Sequence, residues 1–176
     1  TPSSYIPTSG STVTRAAETL TVPAANLPYN STNMSIQIDG RMTYADTSNT
    51  NEAMFWNWTL SSQNNMKVHL DTNSGKVGKP TWVQKSGNVT DKIQSAPGDT
   101  YSPGINVPFN LASRHGSTFV NGAADGTSFT VNATPTSLPD LSASDLTLSS
   151  IFMGTIGKFR VWSDDLTDTG IEEAST

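Results

Sequence analysis

The segment "MSIQIDGRMTY" alternates from end to end: Met34, Ile36, Ile38, Met42 and Tyr44 share one phase, and Ser35, Gln37, Asp39, Arg41 and Thr43 the other. A period of two puts successive side chains on opposite faces of an extended chain, so one face is apolar and the other wet. That is a half-buried antiparallel strand, and the pattern recurs. In "MFWNWTL" Met54, Trp56, Trp58 and Leu60 are in phase, and in "MKVHLDT" Met66, Val68 and Leu70 point one way against Lys67, His69 and Asp71. Three such runs divided by polar turns predict a meander.

Further short runs, "TWVQKSG", "PFNLASRHG", "STFVNGAADG", "TSFTVNA", "DLTLSSIFMG" and "TIGKFRVWSDDL", follow at similar spacing. About nine to twelve short strands in 176 residues, a length suited to one core, predict an all-β two-sheet sandwich or jelly roll. The expected core is Ile36, Ile38, Val68, Leu70, Leu111, Val120, Ile156, Phe159 and Val161, with Ile156 entering from a kink at Gly157. One stretch reads as helical: "LTDTGIEEAST" offers a Thr or Asp cap, Leu166 and Ile171. "NATPTSLPDLSASD" carries two prolines and is expected to be a loop between strands. The opening residues, rich in Ser, Thr, Pro and Gly, divide the chain into an extended connector over residues 1–13 and a sandwich over 14–176, with Thr14 to Val22 adding an edge strand.

Charge removes several function classes. The net charge is −5 with ten Lys and Arg, not clustered along the sequence, which suits neither nucleic acid nor an anionic membrane. No apolar run reaches the roughly 20 residues that span a bilayer, and the opening residues lack the pattern of a signal peptide, so membrane insertion is not expected. Without cysteine there is no disulfide framework and no thiol nucleophile. His69 and His115 stand at no metal-ligand spacing, and the four glutamates, Glu18, Glu52, Glu172 and Glu173, do not form the paired carboxylates of a glycosidase on a central strand. No catalytic residue and no metal ligand is assigned, and the chain is not expected to be an enzyme. Five N-x-S/T sequons, at Asn30, Asn33, Asn57, Asn88 and Asn132, are close to the number that so much Asn, Ser and Thr produces by chance.

The opening "TPSSYIPTSGSTVTRAAETLTV" resembles a connector of phage tail-fibre and other virion-surface proteins. "FNLASRHGSTFVNGAADGTS", "LPDL" and "MGTIGKFRVWSDDLTDTGIEE" resemble the concanavalin A-like, laminin-G-like sandwich that such connectors lead into. The resemblance covers the first 22 residues and roughly the last 70, while Pro23 to Pro108 matches in strand pattern alone. It implies a concanavalin A-like jelly roll on a virion surface, with host cell-surface polysaccharide and other virion proteins as partners, and a homo-oligomer. Calcium at a sandwich rim is common to such folds. "DLTDT" and "NGAADGT" offer oxygens for it, yet without a dense acidic array these ordinarily serve surface solvation, and no cofactor is assigned.

A sugar offers both an apolar ring face and hydroxyls, so its site needs an aromatic platform beside polar groups. Trp56 and Trp58 share the phase of the core. Trp82, in a short strand of ambiguous parity, and Tyr101, at an expected loop tip in "GDTYSPG", are the candidate platforms. Arg114, just before an expected hairpin, and Asn121 are the candidate polar contacts, although Asn121-Gly122 is also a favoured pair for a tight turn. The expectation is a non-catalytic glycan-binding module. A structural virion piece that decorates or bridges other subunits is the alternative, and a polysaccharide-degrading enzyme the remote one.

Overall fold

In the computed structural model, which describes residues 19–44, 53–73, 76–95, 100–148 and 152–176, the alternating runs become strands. They are β1 (Leu20–Val22), β2 (Asn33–Tyr44), β3 (Ala53–Ser61), β4 (Asn64–Asp71), β5 (Lys79–Ser86), β6 (Val89–Gln94), β7 (Gly104–Gly116), β8 (Val120–Ala124), β9 (Thr127–Ser128), β10 (Leu146–Leu148) and β11 (Gly154–Trp162). A helix, α1 (Thr167–Ala174), follows them. Two antiparallel sheets result, six-stranded in the order β1-β10-β3-β4-β5-β6 and five-stranded in the order β11-β2-β7-β8-β9. The fold class is thus the expected two-sheet sandwich.

The sheets meet through the in-phase residues. Met34, Ile36, Ile38, Met42, Val68, Leu70, Leu111 and Val120 are buried in one core, and Ile156, Phe159 and Val161 pack against it less completely from β11. Trp56 and Trp58 lie on the inner face, as their phase requires, and the Trp58 indole N–H reaches the carbonyls of Leu141 and Ser144. The proline-bearing segment is therefore a loop, but a packed one, with Leu138 and Leu141 inside. The kink expected at Gly157 is a bulge, at which the register passes from Ile156↔Gly40 to Lys158↔Asp39.

One expectation changes. Asn121-Gly122 does not form a turn: both residues lie within β8, and Asn121 is paired with Arg114 of β7. The tight turn falls one hairpin later, at Asp125-Gly126, where φ is 47° and 79°. Asp-Gly supplies two left-handed positions as readily as Asn-Gly, and only the second pair lies between β8 and β9. The expected connector over residues 1–13 and the first part of the expected edge strand from Thr14 lie outside the described residues. The described end of that strand is β1, which does form an edge, on β10.

The outer faces differ. On the six-stranded sheet, His69, Asp71 and Thr81 point away from the core yet are buried, and Gln94 donates to Asp71 Oδ2 and Thr81 Oγ1 at 3.0 and 2.9 Å. On the five-stranded sheet, α1 lies across β7, β8 and β9. Its Ile171 is buried against Ala112 and Ala123, small residues that let the helix approach. Beyond the helix, outward residues of β11 and Arg41 of β2 reach solvent, whereas Ser35 and Gln37 of β2 are buried.

Candidate functional site

Three of the four residues expected to meet ligand are inside the protein. Trp82 is fully buried, its indole flat against β8: a Cβ on Gly122 would stand 2.2 Å from the ring. Glycine is at position 122 because an indole needs the space, not because a turn needs the torsion angle. Phe129 covers the ring with a centroid separation of 5.2 Å. Its strand parity settles the matter, because Trp82 pairs with Val68 on one side and Ile93 on the other, both inward.

Tyr101 is likewise a core residue. Its N–H donates to the Gly78 carbonyl at 3.1 Å, its own carbonyl accepts the Tyr44 hydroxyl, and burial pushes its phenol well above the ordinary value. Neither aromatic is available as a stacking platform.

Arg114 and Asn121 are brought together, as cross-strand partners on the outer face, but they are occupied. Arg114 donates from Nη2 to Asp165 Oδ2 at 2.7 Å and from Nη1 to Asp168 Oδ1 at 2.8 Å, with its guanidinium 3.9 Å above the Phe119 ring. Asn121 Nδ2 donates to the same Asp168 oxygen at 2.8 Å. Partial burial raises the Asp168 pKa, but the hydrogen bonds from Asn121 and Arg114 and the charge of Arg114 outweigh it and hold the carboxyl below its usual range. The acids of "DLTDT", considered above as calcium oxygens, thus fasten the start of α1 to the sheet. Asp125, from "NGAADGT", accepts the Asn110 N–H at 3.0 Å.

The open half of the same face carries a different set. In β11, Phe159 and Val161 face the core opposite Ile38 and Ile36, so Lys158, Arg160 and Trp162 face outward opposite Asp39, Gln37 and Ser35. Trp162 and Arg160, two residues apart on one face of a strand, are roughly 7 Å apart along it. Arg160 is exposed and Trp162 half-buried.

The surrounding backbone is fixed. The Ser163 carbonyl accepts from Asn30 Nδ2 at 2.7 Å, and the Ser35 hydroxyl donates to the Asp164 carbonyl at 2.9 Å while accepting the Leu166 N–H at 3.1 Å. At the bulge, Asp39 Oδ1 accepts the Lys158 N–H at 2.9 Å and occupies the place of a Gly157 Cβ, which would be 2.3 Å away. Gln37, almost wholly buried, donates to Asp39 Oδ2 and Asn110 Oδ1 at 3.2 and 2.8 Å. Arg41 extends the row, its Nη1 donating to the Asn106 carbonyl at 3.2 Å.

The surface is a rigid shelf with one indole and three cationic side chains, bounded by α1. A shelf of this kind can stack an apolar ring face and donate hydrogen bonds to the oxygens around it.

Among solved structures, the chain is similar to the CBM40 module of the Ruminococcus gnavus IT-sialidase bound to α2,3-sialyllactose, at 13% identity and a TM-score of 0.64 over 90% of this chain and 96% of that one. It is similar also to the leech intramolecular trans-sialidase, at 15% identity and a TM-score of 0.62 over 83% of this chain. The receptor-binding domain of botulinum neurotoxin type G matches at 18% identity and a TM-score of 0.57 over 80% of this chain. The chain carries a jelly-roll sandwich fold like theirs. It spans 23% of the trans-sialidase chain and 37% of the toxin chain, whereas it matches the CBM40 module nearly end to end. No protein-family model matches the sequence, and no curated protein matches it significantly.

Trp162 was within reach of the sequence. Once Phe159 and Val161 are assigned to the core, alternation in "GKFRVW" sends Lys158, Arg160 and Trp162 outward. The other three tryptophans are buried, so an outward-facing fourth in this lectin-like fold is the informative one.

Proposed function

We propose that this domain is a non-catalytic glycan-binding module, and that its ligand lies on the outward shelf of β11, with Trp162 as the stacking platform. The observation that carries the reading is the outward indole on the same face of β11 as a guanidinium without an ion pair among the described residues. The lectin-like fold supports it, since its neighbours include isolated carbohydrate-binding modules.

The setting we propose is the surface of a phage or phage-like virion, in company with other virion proteins and further copies of this chain, meeting host-surface polysaccharide. That setting is supported by the resemblance of residues 1–22 and of roughly the last 70 residues to virion-surface proteins. Several copies on one particle suit the shelf. An open, wet surface with one stacked ring gives weak binding per site, and attachment then grows through multivalency.

The test is a glycan array probed with the whole chain and with Trp162→Ala. Loss of binding with a melting temperature lowered by no more than about 5 °C supports the shelf. Binding that survives Trp162→Ala places the ligand elsewhere, and a wild type that binds no glycan removes the reading.

A further inference from the structure

We infer that the shelf takes an anionic saccharide, one carrying a carboxylate or sulfate, with Arg160 as its counter-charge. The inference rests on the shelf being the glycan site.

It comes from an account of donors and acceptors. The acceptors of the shelf already hold hydrogen bonds from within the protein. Asp39 Oδ1 takes the Lys158 N–H and Oδ2 takes the Gln37 amide, and Asn110 Oδ1 takes the same amide. The Gln37 carbonyl oxygen is buried from solvent. Apart from the Thr155 hydroxyl, the exposed polar side chains along β11 and its neighbour Arg41 donate: the Arg160 and Arg41 guanidinium groups and the Lys158 ammonium. Lys158 is 62% exposed and lies 3.9 Å from Asp39.

Three cations therefore face one carboxylate, and that carboxylate already holds two hydrogen bonds. Arg160 has no ion pair among the described residues, in contrast to Arg114 on the same sheet. A neutral sugar both donates and accepts, so its own hydroxyl protons would find few protein acceptors on such a surface. A carboxylate or sulfate only accepts, and its bonds to a guanidinium are the stronger, charge-assisted kind.

Cationic side chains also guard an edge strand against pairing with other chains. Guarding needs no indole, and Trp162 in the same phase points to a ligand with a ring next to its charge. The remainder of the molecule opposes the alternative of nonspecific attraction, because a chain of net charge −5 repels polyanions.

The experiment probes an array of neutral, carboxylated and sulfated oligosaccharides with wild type, Arg160→Gln, Arg160→Lys and Trp162→Ala, at 50 and 200 mM NaCl. The expected result is preference for one of the acidic sets, the carboxylated and sulfated arms telling which. We expect a loss of tenfold or more in Arg160→Gln, partial retention in Arg160→Lys, and weaker binding at the higher salt. Neutral glycans bound equally well, lost in Trp162→Ala and indifferent to Arg160→Gln and to salt, would overturn the charge assignment while leaving the glycan-binding shelf intact. Acidic binding unchanged in both Arg160→Gln and Trp162→Ala would overturn both, as would a correctly folded wild type that binds no glycan.

Discussion

The outer face of the five-stranded sheet is two surfaces made from similar residues. Over β7, β8 and β9 an arginine, an asparagine and small apolar residues lie beneath α1, and each polar side chain named there has a partner: Arg114 and Asn121 with Asp168, Arg114 with Asp165, and Ser128 with Glu172 at 2.5 Å, only the Arg114 Nε among their donors being buried without one. Over β2 and β11 another arginine stands in solvent beside a tryptophan. What separates them is the covering helix, which brings the acids: Asp165 just ahead of it, Asp168 in its first turn and Glu172 further along. Polar residues become scaffold where the protein supplies their partners and a binding surface where it does not.

The largest break in this contrast is to loosen the cover. Ile171 is the one fully buried side chain of α1, seated on Ala112 and Ala123, so Ile171→Ala should cost about 2–4 kcal/mol, the usual range for truncating a buried aliphatic. Chemical denaturation measures it. A loss under about 1 kcal/mol would mean that the helix is held by its polar contacts alone.

Next comes the ion-pair hub. Arg114→Ala leaves Asp165 and Asp168 without their cation and uncovers the Phe119 ring, and should cost about 2 kcal/mol, more than a surface ion pair contributes. Asn121→Ala should cost less, about 1 kcal/mol, and the two should be non-additive because they share one carboxylate oxygen. Additive losses would show that Arg114 and Asn121 act separately.

One residue along β7 the side chain turns inward, and charge becomes intolerable instead of balanced. His115 is fully buried with its ring 5.9 Å from that of Trp56, and burial alone pushes its pKa down to about 3. Folded His115 thus stays neutral where the unfolded chain, titrating near 6.5, takes a proton. Stability from this group is complete above about pH 6.5 and falls as pH drops toward 3, with a slope approaching about 1.4 kcal/mol per pH unit. Asp168, held below its ordinary pKa, adds a loss of the same sign at lower pH. Melting of wild type and His115→Phe between pH 7 and 4.5 separates them, since the variant should lack the slope above about pH 5.

Much of this was written in the alternation. Met34 to Tyr44 fixes which face of β2 is buried, and its partners follow by pairing. Arg114 and Asn121 were singled out and do meet, but the sequence does not say that Asp165 and Asp168 return from some 50 residues away to occupy them. Trp82 shows a different limit. Beside Val83 and before Gln84 its phase is ambiguous, and its burial depends on Gly122, a residue distant in the chain whose glycine reads locally as a turn signal. The bulge at Gly157 is legible only once Asp39 is known to fill the space of its missing side chain.

The smallest effect on stability is expected where the effect on function is largest. Arg160 is exposed and free of ion pairs among the described residues, so Arg160→Ala should change stability by no more than about 0.5 kcal/mol. Trp162 is half-buried on the outer face, and Trp162→Ala should cost about 1 kcal/mol, against about 3–5 for Trp82→Ala, whose ring fills the core. The two tryptophans therefore make a matched pair. One should abolish glycan binding in a protein that still melts cooperatively near the wild-type temperature, and the other should lower the melting point by many degrees. If Trp162→Ala instead destabilises as much as Trp82→Ala, its indole is anchoring the end of β11 to the loop that leads into α1. The open half of the face would then be scaffold like the covered half, and the contrast between them would fail at its functional end.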